Sequence, residues 1–93
     1  MAVLTDSEVQ QALTGLRGWE RKGIAIQRIF QFADFVAAMR FVNEVAAAAE
    51  QANHHPDIDI RYSKVVMSLI SHDSGGVTKR DIRMAERINQ IAG

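Results

Sequence analysis

Three histidines supply all the imidazole in this chain, and they fall close together in its second half: His54, His55 and His72. The first two stand in the run Asn53-His54-His55-Pro56, where the proline discourages helix in the residue before it. The third precedes Asp73-Ser74-Gly75-Gly76, a composition that marks a turn. Imidazole is the side chain that gives and takes protons most readily near neutral pH. Glu50, Asp57, Asp73 and Asp81 flank the three rings, so acid, base and orienting roles can be divided among neighbours. A single histidine at a helix end is ordinarily exposed and idle. Three at adjacent element ends point to a shared task, provided a hairpin brings His72 back toward His54 and His55.

Other chemistry is weaker. His54, Asp57 and His72 form a nominal N/O set of the kind zinc uses, but adjacent histidines rarely point the same way and no HExxH pair is present; no metal is expected. Ser74-Gly75-Gly76 lacks the lysine and glycine spacing of a phosphate-binding loop and reads as a tight turn. Ser63, Ser68, Ser71 and Ser74 have no GxSxG elbow to make one of them a nucleophile. Arg61, Lys64, Lys79, Arg80, Arg83 and Arg87 look dispersed and countered by acids, a solvated surface.

The elements that must position the histidines are legible from period and punctuation. Thr5 with Glu8 predicts a capping box, followed by an apolar face of Val9, Leu13 and Leu16 that ends at Gly15 or Gly18. Trp19 to Lys22 and the alternation from Ile24 to Phe32 predict two strands around a turn at Gly23. Residues 34–52 change to a three- and four-residue period, with Phe35, Ala38, Met39, Val42, Val45, Ala46 and Ala49 as the apolar stripe of a long helix. Ile58, Ile60 and Tyr62 alternate with charged residues as a half-exposed strand, and Val65 to Ser71 is a more apolar one. Thr78 with Asp81 predicts a second capping box, opening a helix with Ile82, Ala85, Ile88 and Ile91 or Ala92 inward. The order α-β-β-α-β-β-α predicts an α+β fold, a four-stranded antiparallel sheet with three helices on one face.

Composition bounds the rest. Ninety-three residues make one domain, taken as residues 1–93. Eleven basic and eleven acidic residues balance to a formal net charge of zero, which argues against nucleic-acid or membrane-surface binding. The absence of cysteine excludes disulfides, thiolate metal sites and a cysteine nucleophile. No run approaches a membrane span and the start lacks signal-peptide character, so a cytoplasmic protein is expected.

The stretch Glu50-Gln51-Ala52-Asn53-His54-His55-Pro56, then Tyr62, Ser71-His72-Asp73 and Asp81, closely resembles the pterin-4a-carbinolamine dehydratase family. The resemblance extends through Gly18-Trp19, Ile29-Phe30 with Phe32, and Val77-Thr78 with Asp81-Ile82, and so covers nearly the whole chain. It implies the same three-helix, four-stranded fold and the dehydration of 4a-hydroxytetrahydropterin to quinonoid dihydropterin, in tetrahydropterin recycling after aromatic amino-acid hydroxylation. It implies no cofactor, since the pterin is the substrate.

Carried over by position, His54, His55 and His72 are the implied catalytic residues. Asn53, Ser71 and Asp73 are the implied pterin contacts, and Glu50 and Asp81 support the imidazoles from behind. Implied partners are the pterin, a second copy or copies as homodimer or homotetramer, and a functional link to an aromatic amino-acid hydroxylase. Two departures touch the pocket: Asp57 and Ile58 follow the proline where animal relatives carry a bulky aromatic, and Ser71 replaces the more usual threonine. The alternative from another class is a non-catalytic dimerisation or assembly cofactor on the same fold, a use that would not need the full histidine set.

Overall fold

Both predicted capping boxes form. In the computed structural model, which describes residues 2–93, the Thr5 hydroxyl accepts from the Glu8 amide at 3.1 Å. The Glu8 carboxylate accepts from the Thr5 amide at 2.8 Å. This starts helix α1 (Asp6–Leu13) and holds the Glu8 carboxyl below the usual carboxylate range, because the Thr5 amide donates to its charged form. Strands β1 (Glu20–Lys22) and β2 (Ala25–Gln31) follow, then α2 (Phe35–Ala52), β3 (Asp57–Arg61), β4 (Lys64–Leu69) and α3 (Lys79–Ala92). The expected α+β order is therefore the observed one.

The sheet order is β1-β2-β4-β3 with every neighbouring pair antiparallel. Register places Ile26 opposite Leu69, Arg28 opposite Met67 and Phe30 opposite Val65. Ile26, Phe30, Val65, Met67 and Leu69 are buried and pack with Val9, Val45, Met84 and Ile88 from the three helices. Ile29, one residue out of phase on β2, is 55% exposed. One sheet face is thus the core wall and the other faces solvent. Phe30 stacks at 4.7 Å on Phe41 and edge-on to Trp19 at 6.4 Å. The Asn89 amide oxygen accepts from Trp19 Nε1 at 2.8 Å and Arg28 Nη1 at 2.7 Å, tying the loop after α1 to α3. Burial pushes the Arg28 guanidinium below its ordinary pKa.

Three expectations are corrected. The buried stripe of α2 is Ala38, Phe41, Val42, Val45, Ala48 and Ala49. Phe35 and Ala46 are exposed and Met39 is half-buried. At about 100° per residue these three lie about 80–120° round the helix from Val45, on the margin of the face that meets the sheet. Next, β3 is exposed along its whole length, with Ile58 at 36% and Ile60 at 37%. It is an edge strand paired only with β4. Tyr62 lies outside it, 70% exposed in the turn to β4 with a left-handed φ of 56°. Finally, β4 ends at Leu69, and an isolated bridge between Ser71 and Gly76 closes a separate loop. Ser71 carbonyl accepts from the Ser74, Gly75 and Gly76 amides within that loop. Gly75 supplies its left-handed turn (φ 82°), and a Cβ on Gly76 would meet Val3 at 2.7 Å. His72 consequently sits on a short, self-braced loop, not on the strand.

Candidate active site

The C-terminus of α2 aims the first histidine. Asn53 adopts the left-handed conformation (φ 51°, ψ 42°), which asparagine tolerates better than most residues. Its amide donates to Glu50 carbonyl at 3.3 Å, and the His54 amide donates to Ala49 carbonyl at 3.1 Å. This paired closure is a Schellman end. It reverses the chain so that His54, 8% exposed, turns inward while His55 stays at the surface.

The start of α3 meets it. Asp81 is fully buried, a position a carboxylate occupies only when donors surround it. Its Oδ1 lies 2.5 Å from His54 Nε2. Its Oδ2 accepts from Ser71 Oγ and from the Thr78 amide, each at 2.8 Å. Ser71 Oγ is in turn 2.8 Å from Thr78 Oγ1, which accepts from the Arg80 amide at 3.2 Å. With a carboxylate as its partner, Nε2 is the ring nitrogen of His54 that donates toward Asp81. One side chain thus caps a helix and orients a ring.

His55 has a different partner, with Nε2 at 2.8 Å from Glu50 Oε2, both exposed. His72 is exposed and makes no hydrogen bond to protein among the described residues. A cleft of about 350 Å³ gathers all three histidines with Asn53, Asp73 and Arg80, floored by Ile70. Each ring enters it in a different state: one locked from behind, one paired at the rim, one free. A larger groove of about 760 Å³ runs between α1 and α3, but it holds no histidine and its one carboxylate, Glu8, is committed to capping α1. Among the described residues, no three His, Asp or Glu side chains converge in a group able to hold a metal ion.

Ser71 is placed otherwise than expected. At 1% exposure, spent on Asp81 and Thr78, it stands behind the cleft and braces His54 instead of lining the pocket. Asn53 and Asp73 do line the cleft, and Asp57 does not. Sequence reasoning missed Arg80, assigned to solvated surface. Its Nη2 donates to Asp73 Oδ1 at 2.5 Å and to Ser74 Oγ at 3.3 Å, while its Nε is buried without a partner. The hydrogen bond from Arg80 holds the Asp73 carboxyl below the usual carboxylate range and raises the Arg80 guanidinium in return. Its position immediately before the capping Asp81 was the available signal.

A profile described as pterin 4 alpha carbinolamine dehydratase matches residues 2–91. The chain belongs to the pterin-4a-carbinolamine dehydratase family. A provisionally named pterin-4-alpha-carbinolamine dehydratase of Koribacter versatilis is 62% identical over 88 residues, 95% of this chain and 94% of the relative. One from Acidobacterium capsulatum is 48% identical, covering 98% of this chain and 99% of that protein. The crystal structure of a transcriptional coactivator/pterin dehydratase from Brucella melitensis is similar at a TM-score of 0.95 and 42% identity, covering 98% and 99% of the two chains. A pterin dehydratase-like protein identified as a RuBisCO assembly factor in the alpha-carboxysome shares the fold, with a TM-score of 0.66 at 22% identity, over 81% of this chain and 87% of that one. Among the described residues no helix is long and apolar enough to cross a membrane.

Proposed function

We propose that this protein dehydrates a 4a-hydroxytetrahydropterin, with the ring seated among His54, His55 and His72. The reaction breaks the C4a–O bond, releasing the hydroxyl as water once it gains a proton, and forms the C4a–N5 double bond as N5 gives up its proton. One acid and one base near opposite atoms suffice. The observation that carries the reading is the unequal partnering of three imidazoles around one cleft. His54, with Asp81 behind Nε2, is the base that takes the N5 proton at Nδ1. His72, free of protein partners, donates to the departing oxygen. His55 and Glu50 assist at the rim, with Asn53 and Asp73 as polar contacts to the pterin. The product, a quinonoid dihydropterin, would then need a separate two-electron reduction by another enzyme to regain the tetrahydro form used in aromatic amino-acid hydroxylation; the dehydration itself takes no cofactor besides the pterin.

Stopped-flow decay of a 4a-carbinolamine tests this. Acceleration over the uncatalysed rate is expected, and no acceleration overturns it. His54→Ala and His72→Ala should each slow turnover by on the order of 10²–10⁴. Near-normal rates in both would assign the chemistry elsewhere. The non-catalytic reading, an assembly or dimerisation cofactor, gains ground only if a pulled-down partner accompanies an inactive enzyme, since such a role leaves the three converging imidazoles without use.

A further inference from the structure

We infer that the groove beside the histidine cleft is an anion subsite, and that the pterin acted on carries a phosphate ester on its side chain. The inference rests on the dehydratase reading, because it seats the ring among the histidines.

The groove measures about 470 Å³ and shares His54 and Arg80 with the cleft. Its α2 wall is small and uncharged, made by Ala48, Gln51 and Ala52; its α3 wall presents Arg80, Arg83 and Arg87 around Met84. No carboxylate lines it. Steps of three and four residues put the three arginines on one face of α3. The chain as a whole has a net charge of zero, so this is a local concentration of charge, not a reflection of a basic protein. It also corrects the expectation that these residues are dispersed and countered.

Of the three, only Arg80 has a carboxylate partner among the described residues, Asp73. Among the described residues Arg83 and Arg87 make no ion pair. Arg83 Nε reaches only the Lys79 carbonyl, at 3.4 Å. Arg83 and Arg87 thus face the groove with no carboxylate partner among the described residues, and their planar forks match phosphate oxygens in pairs. A doubly charged oxyanion tethered to the ring satisfies this arrangement. A neutral hydroxylated tail leaves it unused.

Pterin fluorescence can read the binding of 6-hydroxymethylpterin, its monophosphate ester and 6-carboxypterin. The proteins compared are the wild type and an Arg83→Gln/Arg87→Gln double variant, whose unchanged thermal melt shows that it is folded. The ester is expected to bind the wild type at least about tenfold more tightly than the neutral pterin. That margin should shrink between about 50 and about 500 mM salt and vanish in the double variant. Equal affinity for ester and neutral pterin, a margin that survives the double substitution, or tighter binding of the carboxylate than of the ester each overturns the proposal. Stopped-flow turnover by the wild type of two carbinolamines, one with a neutral tail and one carrying the phosphate ester, keeps the two readings apart. Turnover without any preference for the ester removes the subsite alone, and ester preference without turnover removes the dehydratase chemistry alone.

Discussion

Asp73 and Ser71 were both expected to touch the substrate, and their surroundings separate them. Asp73 is exposed, with Arg80 holding its carboxyl below the ordinary range. A depressed folded-state pKa means the pair is fully present above the unfolded value and is lost as pH falls through the lowered one. An NMR titration of the Asp73 side chain should therefore show a midpoint below that of a free aspartate, moving back up in Arg80→Gln; an unshifted midpoint in the wild type removes the pairing. Ser71 is buried and committed. Ser71→Ala deletes the donor to Asp81 and should cost about 1–2 kcal/mol in urea unfolding. It should also lower kcat with KM little changed, because the variant relaxes His54 without altering the cleft lining; a raised KM alone would return Ser71 to the pocket. The family resemblance marked both residues by their position in Ser71-His72-Asp73. Alternation beyond the end of β4 could not say which of them turns inward, since the Ser71–Gly76 bridge decides that.

Two element ends make the site, and both were legible. Asn53 before a proline and Thr78 three residues before Asp81 are local signals, set by backbone groups that every helix end leaves unsatisfied. Asn53→Gly should keep stability within about 0.5 kcal/mol, since glycine accepts the left-handed turn, whereas Asn53→Val should cost about 1–2 kcal/mol. Equal melting of the two variants would show that the turn does not depend on this residue. Asp81→Ala removes a helix cap and strands the donors of His54, Ser71 and Thr78 in the interior. A loss of about 2–4 kcal/mol in chemical denaturation is expected. What could not be read was the rotation of α2 about its axis, the exposure of β3 and the convergence of Arg80, Arg83 and Arg87. Each depends on which neighbour covers which face. A period reports that a stripe exists, not what lies against it.

At the scale of the molecule, the core sits on one sheet face and the three histidines gather at one rim. Phe30, at 4% exposure between Phe41 and Trp19, joins sheet to helices. Phe30→Ala should remove about 3–5 kcal/mol and lower Tm by about 15–25 °C for a domain of this size; a shift under about 5 °C would mean that the aromatic cluster repacks. Element order was readable because the period switches cleanly between two and 3.6 along the chain, and the histidines' convergence followed once β3 and β4 paired. The double duty of Asp81 has a consequence for lineages that give up catalysis. A descendant retained only as a binding partner can shed His72 or His55 at little cost, because no helix leans on either ring. It cannot shed Asp81, and hardly Ser71, without loosening its own scaffold. Decay should run from the rim inward. An aspartate kept at this position in a relative is then testimony that the relative still folds, while a histidine kept at the position of His72 is, on the proposed dehydratase chemistry, testimony that it still works.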